Sequence, residues 1–251
     1  MRRLSLLGPV TLALSLVAAC GGAATDGGDE SEADIQGGKV DTGDAAVGLV
    51  WIASGGFCTG TLIAPSVVLT AAHCVSEKVA TFYTGAGSAT SNVVVPSSMT
   101  AHAVDKQAGY TKYAGGTCPN ASGDIGLLHL AAPITNIKPL AFASAQSTAK
   151  VGGSCTAIGY GQHGVGAATT LEQKRSATSP VTAIAAGYLT VKYGTGLADH
   201  GDSGGPLVCA GKVAGATSCH TDGDAPAHKV EYYARIDAFG TWINATIASW
   251  K

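Results

Sequence analysis

Gly201-Asp202-Ser203-Gly204-Gly205-Pro206, followed by Leu207-Val208-Cys209, is the stretch that decides how this chain folds. A serine flanked by glycines can have neighbouring backbone N–H groups pressed against a reacting atom, because glycine lacks a Cβ and tolerates φ above zero. Acyl-transfer chemistry needs such donors to hold a developing oxyanion. The G-x-S-x-G spacing of Gly201, Ser203 and Gly205 also fits a nucleophile elbow, in which the serine sits at a strand-to-helix turn. The residues after Ser203 argue against a helix. Gly204 and Gly205 each cost about 1 kcal/mol in one, Pro206 follows, and Leu207-Val208-Cys209 reads as a short strand. An elbow also needs its acid and histidine after the serine. His220 and His228 do lie there, but amid Gly, Asp and Pro and without alternating βαβ units.

Working outward, Thr70-Ala71-Ala72-His73-Cys74 closes the apolar run Val67-Val68-Leu69, and Ser122-Gly123-Asp124-Ile125-Gly126-Leu127-Leu128 carries an aspartate into another. The order His73, Asp124, Ser203 is that of one of the known catalytic triads. Together the three segments resemble the signature segments of the trypsin/chymotrypsin-like serine peptidases. The resemblance spans nearly all of residues 35–251 and includes Cys155–Gly161, where Tyr160 stands in place of the family's usual Trp, and Tyr233-Ala234-Arg235-Ile236.

The pattern from Ile35 onward is short apolar runs broken by turn residues: Val47–Ile52, Thr59–Ile63, Val67–Ala72, Asn92–Val95, Ile125–Leu130, Thr156–Tyr160, Tyr188–Tyr193, Pro206–Ala210 and Glu231–Ile236. Val, Thr, Ile and Tyr dominate them, as an antiparallel all-β fold requires. One helix is expected, at the C-terminus, with Asp237 as N-cap and Phe239, Trp242, Ile243, Thr246, Ile247 and Trp250 at helical spacing. The resemblance implies two six-stranded antiparallel β-barrels packed face to face, over 35–138 and 139–236, with the helix at 237–251. His73 and Asp124 then come from the first barrel and Ser203 from the second.

For the site, the resemblance implies that His73 takes the Ser203 proton and Asp124 fixes the imidazole tautomer. The N–H groups of Gly201 and Ser203 form the oxyanion hole, worth about 3–4 kcal/mol per donor, and Ser218 hydrogen-bonds the aspartate. Substrate-pocket positions fall on Leu197, Ala198, His200, Ser218, His220 and Glu231. Leu197 replaces the pocket-floor aspartate that defines trypsin. Asp199 and His200 replace a cysteine and its neighbour, so one family bridge is missing, and Glu231 on the pocket wall offers an acid to Lys or Arg side chains; an apolar floor with one acidic wall is compatible with a mixed basic and aromatic preference. Ile35-Gln36-Gly37-Gly38 resembles the family's mature N-terminus, which implies a zymogen in which a freed Ile35 amino group pairs with Asp202. Asp34 precedes that cut, so either another peptidase makes it or the true mature end differs. His102, His129, His163 and His228 have no comparable context and read as structural. No spaced metal-ligand set is found, and no cofactor is implied.

Seven cysteines are an odd number. The resemblance pairs Cys58 with Cys74 and Cys155 with Cys209, and leaves Cys118 and Cys219 for a third bridge across the cleft. Each closed loop would contribute roughly 3–4 kcal/mol. Cys20 is set aside by the leader. Met1-Arg2-Arg3 and the apolar run Leu4–Ala19 read as an export signal over 1–19. Val17-Ala18-Ala19-Cys20 resembles a bacterial lipoprotein processing site, which implies a lipid on Cys20, an acidic flexible tether over 20–34, and a place in the cell envelope or outside the cell.

Net charge is −2, only 13% of residues are charged, and the Lys174-Arg175 pair, read as a solvated loop, is the longest basic run in the folded part, so no nucleic-acid partner is expected. The expected partners are peptide or protein substrates and, through Cys20, a membrane; the protein is expected to be a monomer. The leading function is a serine endopeptidase. The alternative is a catalytically silent, lipid-anchored binding module on the same scaffold, its cleft obstructed by His220, Asp199 and the third bridge.

Overall fold

The structure is a computed structural model that describes residue 35 and residues 38–85, 98–115, 118–161, 173–221 and 229–250, all within one compact unit, Glu32–Lys251. Cys20, His163, His228, the run Asn92–Val95 and the whole leader lie outside the described residues.

Six strands close the first barrel in the order β2 (Val47–Ile52), β3 (Phe57–Ala64), β4 (Val67–Thr70), β7 (Gly126–Leu130), β6 (Thr100–Gly109), β5 (Val79–Thr84) and back to β2. All pairings are antiparallel. Alternate residues point inward, and Val50, Leu62, Val68, Phe82, Leu128 and Leu130 fill the interior. The second barrel runs β8 (Ser154–Gly159), β9 (Arg175–Ile184), β10 (Tyr188–Lys192), β13 (Val230–Arg235), β12 (Lys212–His220), β11 (Pro206–Cys209) and closes on β8. Val181, Leu189, Val191, Leu207 and Tyr233 are among its core residues.

The two barrels share two apolar clusters. One joins Leu69, Ile125 and Leu127 of the first barrel to Val213, Ala216, Ala234 and Ile236 of the second. The other sets Val47, Leu49 and Met99 against Ile158 and Tyr160. Tyr160 uses what a Trp lacks, a hydroxyl that reaches the carbonyls of Val47 and Gly85 in the first barrel. Burial, with Asp41 nearby, pushes its phenol well above the ordinary value.

Three expectations need correction. The N-terminal segment does not belong wholly to the first barrel, because β1 (Lys39–Val40) adds to β9 of the second. Lys174-Arg175 is not a solvated loop. Lys174 is 2% exposed, its ammonium donates to the Asp44 carbonyl and lies 3.6 Å from the Asp41 carboxylate, while Arg175 opens β9 and donates to the Gly38 carbonyl at 3.0 Å. Asp237 does not cap the helix. It opens a 3-10 turn (Asp237–Phe239) and pairs with Arg235, and α1 starts afterwards, at Gly240–Ser249, without a side-chain cap. The face of α1 is as expected, with Ile243 fully buried in the inter-barrel cluster and Trp242, Ile247 and Trp250 packed beside it.

Candidate active site

His73 and Asp124 meet because β4 and β7 are neighbours in register. Thr70 pairs with Gly126, so a residue three past the end of β4 faces one two before the start of β7. His73 begins a 3-10 turn, and Asp124 is fully buried. The Asp124 carboxylate is spanned by three donors. One oxygen accepts the His73 backbone N–H at 2.9 Å. The other lies 2.7 Å from His73 Nδ1 and accepts Ser218 Oγ at 2.7 Å. A carboxylate so placed holds the imidazole with Nδ1 protonated and Nε2 directed outward. The His73 side chain is 36% exposed, so that outward edge opens to the cleft.

Ser203 comes from the other barrel, on a tight loop before β11. Gly204 N–H donates to Thr217 O at 2.8 Å and Gly205 N–H to Asp202 O at 2.8 Å. Two positive-φ glycines make the loop possible. Gly201 has φ +96° and a Cβ there would lie 2.0 Å from the Phe57 ring; Gly204 has φ +78° and a Cβ would lie 2.1 Å from Thr70 Oγ1. The first barrel grips this loop through Thr59. Its N–H donates to Ser203 O at 2.9 Å, its hydroxyl donates to Gly201 O at 2.9 Å, and that hydroxyl accepts Tyr160 N–H at 3.1 Å. The Cys74 sulfur, next in chain to His73, lies 3.7 Å from Ser203 O. Serine loop and histidine turn are therefore adjacent. Thr59 was not singled out in the sequence; a threonine in an apolar strand gives no local signal of this role.

Asp202 is fully buried under the loop. Its carboxylate accepts Gly161 N–H at 2.7 Å and Asp199 N–H at 2.9 Å. Burial pushes its pKa up to about 7, against the pull of those two donors and with a further push from Glu231 and Asp199. Ile35, the expected partner, is 1% exposed.

A recess of about 200 Å³ opens beside Ser203, lined by Ala198, Asp199, His200, Thr217, Ser218, Cys219, His220 and Glu231. Of the expected pocket residues, Leu197 is not on this lining; it is 1% exposed within the second-barrel core. Glu231 is 2% exposed and accepts the Tyr233 hydroxyl at 2.6 Å. Burial, with Glu231 adjacent, pushes the Tyr233 phenol well above its ordinary range. The structure forms all three expected bridges, Cys58–Cys74, Cys155–Cys209 and Cys118–Cys219, the last joining the first barrel to β12. Among the other histidines, His102 bonds Thr84 Oγ1 and is lowered in pKa by burial, and His129 pairs with Asp105 at 2.6 Å. Although no ligand set was legible in the sequence, Asp199, His200 and His220 bring one donor atom each to within 4.8 Å of one another.

A family model described as Trypsin matches residues 35–243. Among similar proteins, mast cell protease 3 of Ovis aries is 31% identical over 213 residues, 77% of this chain and 79% of that protein. The thrombin-like enzyme acutin of Deinagkistrodon acutus is 30% identical over 220 residues, covering 78% and 87%. A snake venom serine protease homolog, HS120, of Bothrops jararaca is 30% identical over 211 residues, covering 76% and 78%. The solved structure of neuropsin, a serine protease expressed in the limbic system of mouse brain, superposes with a TM-score of 0.70 at 24% identity, over 84% of this chain and 98% of that one.

Proposed function

From the premise that this chain belongs to the trypsin family, we propose that it is an active serine endopeptidase with His73, Asp124 and Ser203 as its triad. One observation carries the reading: a fully buried carboxylate holding the His73 ring at 2.7 Å from one barrel while accepting Ser218 at 2.7 Å from the other. His73 takes the Ser203 proton as Oγ attacks the scissile carbonyl, and the oxyanion is met by the N–H groups of Gly201 and Ser203. The imidazolium, stabilised by Asp124, then gives its proton to the leaving amine. Water repeats the sequence on the acyl-enzyme and restores Ser203. The recess takes the side chain before the scissile bond, and the buried Glu231 on its wall favours Lys or Arg there.

Activation follows from Asp202. A buried carboxylate raised to about 7 gains most from a cation, and the amino group freed by a cut after Asp34 is one at neutral pH. N-terminal sequencing of the active form should begin at Ile35; another start overturns this scheme. Residues 1–19 direct export and Cys20 carries a lipid, which tethers a monomeric catalytic unit to the cell envelope through residues 20–34. Labelling with a fluorophosphonate tests the main reading: the processed protein is modified at Ser203 and cleaves peptides, and Ser203→Ala does neither while keeping its fold. A folded, processed protein that stays unlabelled and inert sinks it.

A further inference from the structure

Asp199 and His200 lie on the loop before β11 and His220 ends β12, twenty residues further on, yet the β11–β12 pairing draws them together. Their donor atoms fall within 4.8 Å of one another. The two imidazoles meet edge to face with centroids 6.0 Å apart. Asp199 Oδ1 accepts the backbone N–H of His200 at 2.7 Å, which fixes the carboxylate beside the His200 main chain. All three residues line the recess that also holds Ser203 and Glu231.

We propose that Asp199, His200 and His220 bind a divalent transition-metal ion of the zinc class, and that the bound ion shuts the recess beside Ser203 to substrate. The first half stands on the three side chains alone; the second rests on the peptidase reading. Two imidazole nitrogens with one carboxylate oxygen suit zinc and its borderline neighbours, whereas Ca²⁺ and Mg²⁺ ask for oxygen ligands throughout. Tetrahedral bonds of about 2.0–2.1 Å set donors roughly 3.3 Å apart. The observed spacing therefore asks for a closure on the order of 1 Å, within reach of a rotamer adjustment by His200, whose side chain is exposed. Three protein ligands leave a fourth position, which water takes. An ion with its water fills the mouth of a recess this small, so it competes with the side chain that the recess would otherwise admit. The second grouping of the kind, Cys58, His73 and Cys74, is different in chemistry: both sulfurs are spent in a disulfide and offer no thiolate.

The test titrates Zn²⁺ calorimetrically, and Co²⁺ optically, into the processed protein and its Ser203→Ala variant. Both should bind one equivalent, with the intense visible bands of tetrahedral Co²⁺. His200→Gln or His220→Gln should weaken binding by more than about tenfold, while His102→Gln leaves it intact. Zn²⁺ should also shield His200 and His220 from diethyl pyrocarbonate in the unsubstituted chain, which reads the site even if a variant fails to fold. In turnover, Zn²⁺ should raise apparent KM with kcat unchanged, and a chelator should reverse it. No binding, or binding indifferent to both histidines and without shielding, overturns the site. Binding that leaves KM unmoved overturns the closure. Full histidine-dependent binding in a protein that is inert and unlabelled at Ser203 upholds the site and ends the peptidase reading.

Discussion

Thr59 shows how one hydroxyl can tie chemistry to the barrel interface. Its Oγ1 accepts from Tyr160 and donates to Gly201 O, so it fixes the peptide beside the N–H groups proposed to meet the oxyanion. Thr59→Val keeps the shape and removes both bonds, leaving a buried N–H and a half-buried carbonyl unmet. Stability should fall by about 1–3 kcal/mol and kcat by more than about tenfold with KM little changed, as read by denaturant unfolding and steady-state kinetics. Asp202 gives a pH dependence. Its folded pKa of about 7 lies above the ordinary 3.8, so between those values the folded chain binds more protons than the unfolded one. Stability of the chain still joined through Asp34–Ile35 therefore falls as pH rises from about 4 to about 7 and levels off above. Asp202→Asn should flatten that slope in thermal melts taken across the range. The segments around His73, Asp124 and Ser203 stand out in the sequence because each carries its signal in its immediate neighbours. The grouping of Asp199, His200 and His220 does not, because a strand pairing assembles it and no local spacing encodes it.

Among the elements, the strands read correctly were those whose own composition is apolar, such as Val47–Ile52, which matches β2 residue for residue. Among those missed, β5 (Val79–Thr84) and β12, whose Val213–Thr217 are buried, are as apolar as the strands that were read, while β6 and β9 are polar or interrupted. β6 exposes Thr100, Ala101, Ala103, Asp105 and Lys106, and β9 carries Pro180 among serines and threonines. Barrel closure imposes hydrogen-bond partners on such strands whatever their side chains prefer. Lys174 was misread for a related reason, since its burial depends on acids more than a hundred residues upstream. The helix was legible from its period but not from its cap. Its contribution lies in Ile243, fully buried between residues of both barrels. Ile243→Ala should cost about 2–5 kcal/mol and loosen the mutual placement of His73 and Ser203, so a lowered melting temperature should be accompanied by a lowered kcat below the melt.

At the scale of the whole molecule, the described residues form two closed barrels sharing apolar clusters, which leaves few free sheet edges among the described strands. Cys118–Cys219 adds a covalent tie between them across 101 residues. Replacing both with Ser should lower unfolding free energy by about 3–5 kcal/mol on the loop-entropy account, and because Cys219 stands between Ser218 and His220, KM should shift more than kcat. For the proposed processing event in a unit held at so many points, β1 matters. Lys39–Val40 is stitched to β9, with Lys174 clasping Asp41 and Asp44 behind it. Ile35 lies four residues ahead of that anchor, a reach of about 14 Å at full extension. A chain end made there explores a small sphere instead of open solvent, so its local concentration is in the millimolar range. On the proposed activation scheme, cutting the chain and seating its new end would thereby be nearly one event, with little entropy left to lose between them.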